Sequence, residues 1–528
     1  MSQVKKRNGQ LVEFDTAKVI AAANKAFVEC NVEMDDSVKN RLLLAVAKLQ
    51  MKDIVDIEDI QDTVEDVLMK TGYKQVAKAY IVYRYQRKLV RENTTDETLI
   101  EYLNGTNEYW MRENANKKAE RTSCQRDKVA GITSTDFARR LLLPKDVLEA
   151  HDKGIIHLHD IDYMIHPGET NCCLINGLDM LENGTKLNDV RIDPPRRFST
   201  ACTIATQIQL QVSGSQYGGM TWSCAHFAPS LRRTYDYYEA LGFEGEDLEK
   251  LVNDNIKEGV QTYNYQLNSF TSTSGQSPFS TLHIDLEELP GYELDTMRIA
   301  MEFLRQRIKG FKNADGVWVT PTFPKIIVVL RDKYFTEPKY KDFIQLCAEC
   351  TAKRMVPDYM SEKNMLKYKG AVVPAMGCRS LLKPIYPDGK LKLYGRFNLG
   401  VCTVNLPYAA YVAKKEGRDF FEVLDGYLAL CRKAQLTRVK RIANSTTDCA
   451  PILWQDGAFM RAPAGEKLEK YIYGGYASIS LGYAGVYEAT MIMTNESQSG
   501  PNGGPFAEKV MKYLDDTTQK WAKEDNLG

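Results

Sequence analysis

Lys325-Ile326-Ile327-Val328-Val329-Leu330 is a short run of apolar, largely β-branched residues, long enough for a buried strand and too short for a helix. Similar runs stand on either side of it: Ile155-Ile156-His157-Leu158-His159 upstream, and Val401-Cys402-Thr403-Val404-Asn405-Leu406 downstream. Between them lie stretches with helical spacing of apolar residues. Strands alternating with helices imply an α/β architecture, either a sheet or a barrel, running from about residue 94 to Gly528. No internal repeat or low-complexity tract interrupts it.

Ahead of this region the sequence changes character. Val4-Lys5-Lys6-Arg7 and Gln10-Leu11-Val12-Glu13-Phe14 flank Asn8-Gly9, a pairing that signals a β-hairpin. Asp15 is placed to cap a helix whose face carries Val19, Ile20, Ala23 and Phe27. Asp56 is placed to cap another, with Ile57, Ile60, Val64, Val67 and Leu68, closed by Gly72. A third helix is expected from about Tyr73 to Glu92, followed by the polar linker Arg91 to Glu97. Two domains are therefore expected, 1–93 and 94–528, which suits a chain of 528 residues.

Lys and Arg number 69 and so do Asp and Glu, giving a net charge of zero. That balance supplies none of the basic field a nucleic-acid or anionic-membrane binder carries. No apolar run approaches the roughly 20 residues of a membrane span, and the N-terminal residues lack a signal-peptide core, so a cytoplasmic protein is expected. In that compartment twelve cysteines argue against a disulfide framework.

No phosphate-binding loop of the Walker A or dinucleotide type is present. A basic cluster at the hairpin, Lys5, Lys6 and Arg7, with Gly9 allowing close backbone approach and Lys18 one helical turn on, can neutralise a triphosphate; taken alone it reads as a solvated face. Cys172 and Cys173 are vicinal, and a strand sends them to opposite faces, so at most one serves a given site. Cys378 follows Gly377 in a segment without helical periodicity, as a cysteine delivered on a tight loop requires. Cys347 and Cys350 form a C-x-x-C within a helical stretch, Phe343 to Arg354; no second pair follows to complete a zinc site, and helix packing is the expected role.

The string V-K-K-R-N-G-x-x-V-E-F-D-x-x-K-V, with A-x-A-Y-I-V-Y-R-Y later, resembles the ATP-cone family across residues 3 to about 92. H-L-H-D-I-D-Y, T-N-C-C-L-I-N, P-P-R-R-F-S-T-A, M-G-C-R-S, N-L-G-V-x-x-V-N-L-P, A-P-I-L and A-S-I-S-L-G-Y-A-G, in that order, resemble the anaerobic, class III, glycyl-radical ribonucleoside-triphosphate reductases. The resemblance implies a small, mostly helical ATP cone ahead of a ten-stranded α/β barrel of two five-stranded halves, with a finger loop carrying a radical cysteine up its centre. ATP and dATP are the implied effectors, contacting Lys6, Arg7, Gly9, Phe14, Lys18 and Arg84. Ribonucleoside triphosphates are the implied substrates, and formate the co-substrate. Cys378 is implied as the thiyl that takes the ribose 3′ hydrogen, Cys172 as the thiol that gives hydrogen at the 2′ position, and Asn405 as a hydrogen-bonding partner in the site.

His157 and His159 share a strand face and are candidates to orient formate or substrate, with a packing role equally open. Ser478 and Ser480, leading towards Gly485, are candidates for a phosphate-binding helix N-terminus. Alternation turns Cys402 away from the site if Asn405 points in, against a third redox cysteine of the kind thioredoxin-dependent relatives use. Neither the two C-x-x-C pairs of the family's zinc ribbon nor its R-V-C-G-Y-like radical stretch occurs in these residues. The barrel is thus expected to be incomplete at its C-terminus, with the glycyl radical and zinc on a separate C-terminal fragment. A radical-SAM iron–sulfur activating enzyme and a second copy of the chain are the other expected partners. Alone the chain is expected to be inactive; the alternatives are a nucleotide-binding fragment without catalysis or a formate-lyase type of glycyl-radical enzyme.

Overall fold

The computed structural model describes residues 3–5, 11–81, 121–272, 274–377 and 379–528. The chain divides into two compact units, 1–107 and 108–528; the boundary expected at 93/94 lies outside the described residues.

In the first unit β1 (Gln3–Lys5) pairs antiparallel with β2 (Leu11–Glu13), as the Asn-Gly signal predicts, and parallel with β3 (Ile54–Asp56), which the sequence reading did not foresee. Three helices follow the expected caps. Asp15 Oδ1 accepts from Ala17 N–H at 3.0 Å at the head of Thr16–Glu29. Asp35 Oδ1 accepts from Val38 N–H at 2.8 Å before Asp36–Leu49, and Asp56 Oδ1 from Glu58 N–H at 3.2 Å before Ile57–Lys70. Gly72, at φ +84°, turns the chain out of the last of these, a conformation that favours glycine. Ile60, Val64 and Leu68 fall on one helical face by their i, i+4 spacing and are buried, Val64 and Leu68 with Phe27 and Leu42, Ile60 with Phe14 and Val46. Residues 74–81 are helical, and the rest of the helix expected up to Glu92 lies outside the described residues.

The second unit is organised on a curled sheet of eight strands among the described residues. Its strands are β4 (Ile156–Leu158), β5 (Cys172–Leu174), β8 (Met220–Ser223), β9 (Ser280–Ile284), β12 (Lys325–Leu330), β13 (Asp358–Ser361), β14 (Arg396–Asn405) and β15 (Ala477–Ala484), while β6 (Thr185–Leu187) with β7 (Val190–Ile192), and β10 (Phe311–Lys312) with β11 (Trp318–Val319), form separate hairpins. The order β13-β12-β9-β8-β5 is parallel throughout and makes one five-stranded half. There the direction reverses: β14 runs antiparallel to both β5 and β4 on one edge and parallel to β15 on the other.

Helices cover the parallel half, so its strands are buried on both faces and read as continuous apolar runs, which is why residues 325–330 carry no polar alternation. The main core gathers Trp222, Phe227, Tyr263 and Phe303 behind that half. A second core holds Cys402, Val404, Leu406, Phe420 and Leu424 under the helices Leu406–Glu416 and Phe420–Ala443. Cys347 and Cys350 are buried on one face of Lys341–Arg354, packing that helix as expected. No helix among the described residues is long and apolar enough to cross a membrane.

Candidate functional site

In the first unit the start of Thr16–Glu29 opens onto a cavity of about 710 Å³ walled by Phe14, Val19, Ile57, Ile60 and Tyr80, with Lys18 at its rim. Its apolar walls suit a base, and Lys18, paired with Asp15 at 3.4 Å, is the cation at the rim, where Glu13 also lies. Phe14 and Lys18 are thus brought together; Lys6, Arg7, Gly9 and Arg84 lie outside the described residues.

In the second unit strand register decides which side chains meet. Asn398 of β14 stands opposite Cys172 of β5, and Phe397 opposite Cys173. The two cysteines diverge as alternation predicts. Cys173 is buried in the main core, where desolvation pushes its thiol well up. The Cys172 thiol instead donates to Asn171 Oδ1 at 2.7 Å and accepts from Gly219 N–H at 3.3 Å.

Gly219 is also where the finger loop ends. The loop is a hairpin closed by the Ala375–Leu381 bridge and by Met376 N–H donating to Ser380 O at 2.9 Å. Thr221 Oγ1 anchors it to β8 by donating to Ala375 O at 2.8 Å. Gly377 then meets Gly219 backbone to backbone: a Cβ on Gly219 would fall 2.8 Å from Gly377 Cα, so both positions exclude a side chain. Cys378 lies outside the described residues. Of its two neighbours in sequence, Gly377 lies against Gly219, whose N–H is bonded to the Cys172 sulfur.

Asn405 is not part of this meeting. Its Oδ1 accepts from Tyr408 N–H at 3.1 Å and its Nδ2 donates to Gly154 O at 2.8 Å, so it is the N-cap of Leu406–Glu416. Seven residues of extended strand, roughly 23 Å, separate it from the residue facing Cys172. Asn398 holds that place: its Nδ2 donates to Ser480 Oγ at 2.8 Å and Ser478 Oγ at 3.3 Å, and its Oδ1 accepts from Gly400 N–H at 2.8 Å. Ser478 and Ser480 therefore fix an asparagine side chain; the helix expected beyond them does begin after Gly485, as Val486–Thr494. They also border, with Arg379, Ser380 and Gln435, a cavity of about 610 Å³ beside the loop tip, a volume that accommodates a nucleotide.

His159 sits further along the same edge of β14. Its Nε2 lies 2.8 Å from Thr403 Oγ1, and burial, then His157, then Arg438 hold its imidazole below the ordinary value and neutral at pH 7. His157 is exposed, its ring centroid 4.4 Å from that of His159. Cys402 turns away into the second core, where its sulfur meets Cys431.

Sequence reasoning missed Tyr217 and the arginine bonded to it. Arg438 is buried, donating to the carbonyls of His159 and Asp160 and, through Nη1 at 3.3 Å, to the Tyr217 hydroxyl. A Cβ on Gly400 would come within 1.8 Å of Arg438 Nη1, so the glycine of N-L-G-V makes room for this guanidinium. Tyr217 stacks on Tyr163, centroids 4.5 Å apart and 19° from parallel. No group of three His, Cys, Asp or Glu among the described residues is arranged to hold a metal.

Comparison with known proteins shows the family. Residues 113–528 match the family described as anaerobic ribonucleoside-triphosphate reductase, and residues 2–89 match the ATP cone domain. The chain is 34% identical to the anaerobic ribonucleoside-triphosphate reductase of Haemophilus influenzae, over 98% of the chain and 75% of the relative. It is also 34% identical to that of Escherichia coli, over 99% of the chain and 75% of the relative. Among solved structures, the anaerobic ribonucleotide reductase from Thermotoga maritima with glycerol in the active site shares the fold at a TM-score of 0.58 and 16% identity, covering 88% of this chain and 74% of that one.

Proposed function

The chain belongs to the anaerobic ribonucleoside-triphosphate reductases and carries an ATP cone, and on that premise we propose that it reduces ribonucleoside triphosphates with Cys378 and Cys172 as the working thiols. The observation that carries this reading is the contact between Gly377 and Gly219, whose N–H is bonded to the Cys172 sulfur. It supports a reading in which the loop carrying Cys378 serves the same small volume as the Cys172 thiol, as hydrogen abstraction and return at neighbouring ribose carbons require.

A glycyl radical, supplied from outside these residues, would remove the hydrogen atom of the Cys378 thiol. Cys378 then takes hydrogen from C3′, and Cys172 keeps an S–H to return at C2′ as the 2′ hydroxyl leaves as water. Asn398, held by Ser478 and Ser480, presents its amide beside the reacting sugar. Formate supplies the two electrons, and His159, neutral and hydrogen-bonded to Thr403, borders its approach. ATP and dATP act through the cavity at Phe14 and Lys18, joined by Lys6, Arg7, Gly9 and Arg84. The partners are a radical-SAM iron–sulfur activating enzyme, a polypeptide segment that bears the radical and its zinc site, and a second copy of the chain, in the cytoplasm.

The test combines the chain with such a segment and activating enzyme, without oxygen, in the presence of ATP and formate. Deoxynucleotide should form, and Cys378→Ala and Cys172→Ser should each abolish it. Product that survives Cys378→Ala would refute the reading.

A further inference from the structure

The finger loop is tied to the parallel half at strands that are not neighbours. One tie is on β8, where Thr221 Oγ1 donates to Ala375 O at 2.8 Å. The other is on β13, whose Asp358 Oδ2 accepts from Arg379 Nε at 2.6 Å and also meets Arg379 Nη2. In the order β13-β12-β9-β8 these strands stand three apart, roughly 14 Å along the sheet. The same guanidinium turns back on its own loop, with Nη1 donating to Gly377 O at 3.3 Å. It therefore grips the residue before Cys378 from the residue after it. Arg379 holds φ at +71°, in the left-handed region that glycine occupies freely and longer residues do not, and its N–H closes the turn by donating to Met376 O at 2.8 Å. The strained position is thus given to a residue whose side chain makes bonds that glycine has no means to make.

We propose that Arg379 and Asp358 are positioning residues whose ion pair moors the tip of the finger loop to β13, bracing the loop across the parallel half and fixing the place of Cys378. A hairpin tied only through Ala375 can swing about that point. A second tie three strands away removes the swing, and hydrogen transfer between a thiol and a ribose carbon loses rate steeply when the reacting atoms are misplaced. Asp358 does not line the cavity beside the loop tip, so its part is to hold the loop rather than a nucleotide. The proposal rests on the reading of Cys378 as the thiol that takes the 3′ hydrogen.

Hydrogen exchange of the chain, followed by peptide mass spectrometry, reads this tie without turnover. The bonded amides of Met376 and Arg379 report on the tip. In Asp358→Ala the peptide that contains them should exchange about fivefold faster. Asp358→Glu, which keeps a carboxylate, should recover most of the protection. Arg379→Asn accepts the left-handed backbone but has no guanidinium, and should loosen the tip as Asp358→Ala does. The double variant should be no worse than either single one, because both remove the same tie. Asp358 is exposed on the edge strand of the sheet, a site that tolerates substitution. If Asp358→Ala nevertheless does not fold, as judged by circular dichroism, Asp358→Asn is read in its place, with a change in the same direction.

With the radical-bearing segment present, Asp358→Ala should lower kcat about tenfold while leaving KM within about twofold, the pattern of a misplaced reacting group rather than a lost binding contact. Tip exchange at the wild-type rate in the folded variant, losses that add in the double variant, or an unchanged kcat with a loosened tip would each overturn the proposal. Failure of reduction in the wild-type mixture would overturn the proposed function and leave the exchange series to decide this one.

Discussion

At the scale of single residues, one enclosed carboxyl of the larger unit holds a proton. Glu288 is enclosed near the C-terminal ends of β8 and β9, where Tyr394 donates to its Oε2 at 2.7 Å and His226 Nε2 lies 3.5 Å from its Oε1. Burial pushes its carboxyl up to about 8, against the opposing hydrogen bonds from Ser223 and Tyr394. Burial, and then the neighbouring His283, drives His226 down to about 3; burial likewise drives His283 down to about 4. At neutral pH the carboxyl is therefore protonated and both imidazoles are neutral. The folded state holds fewer protons on the histidines than the unfolded chain below about pH 6.5, so stability rises with pH through that window. It holds one more proton on Glu288 between about pH 4.5 and pH 8, so stability falls there once the histidine contribution is complete. Urea unfolding should accordingly show a maximum near pH 6.5 and a net loss of about 1 kcal/mol by pH 8. Glu288→Gln should flatten that fall; an unchanged slope would mean that Glu288 is ionised when folded. Nothing in the sequence announces this cluster, because its members come from separate segments and belong to no motif. The same limit explains the exchange of Asn398 for Asn405. Both lie on one strand, and the choice between them depends on which residue faces Cys172 and on an irregularity between Asn398 and Val401 that alternation cannot count.

At the scale of elements, local chemistry was legible wherever it did not depend on a distant partner. The hairpin around Asn8-Gly9, the caps at Asp15 and Asp56, and the burial of Cys347 and Cys350 on one helix all follow from neighbouring residues. Strand β3 did not, because Ile54-Val55-Asp56 is short and becomes a strand only by pairing with β1. The capping role of Asn405 gives a direct expectation. Asn405→Ala should cost about 1 kcal/mol in urea unfolding, and Asn405→Ser, which can still cap, should recover most of it. The junction of the finger loop with β8 is less forgiving. A methyl at Gly219 meets Gly377 Cα at 2.8 Å and the Phe279 ring at 2.7 Å, and backbone cannot yield as a side-chain tip does. Gly219→Ala should destabilise by about 1–3 kcal/mol and displace the loop that carries Cys378. A variant with wild-type stability would show that the loop has room to retreat.

At the scale of the whole molecule, the two units should respond separately to nucleotide. ATP at a hundred times its dissociation constant stabilises a binding fold by about 2.7 kcal/mol. Hydrogen exchange should therefore slow within residues 11–81 when ATP is added, and Lys18→Ala should weaken that protection; equal protection in the variant would remove Lys18 from the site. The larger unit has a different history written into its connectivity. The strands of its parallel half follow one another along the chain, whereas β14 joins segments far apart, as in the contact of His159 with Thr403 across 244 residues. Long-range pairing of this kind is slow, because a large loop must close before any contact rewards it. During synthesis the half from β5 to β13 can assemble while the edge of β5 still waits for β14. Until that strand arrives the backbone of Cys172 offers its hydrogen bonds to any extended chain nearby, so the segment that later presents the working thiol is also the one most exposed to mispairing on the way to the native state.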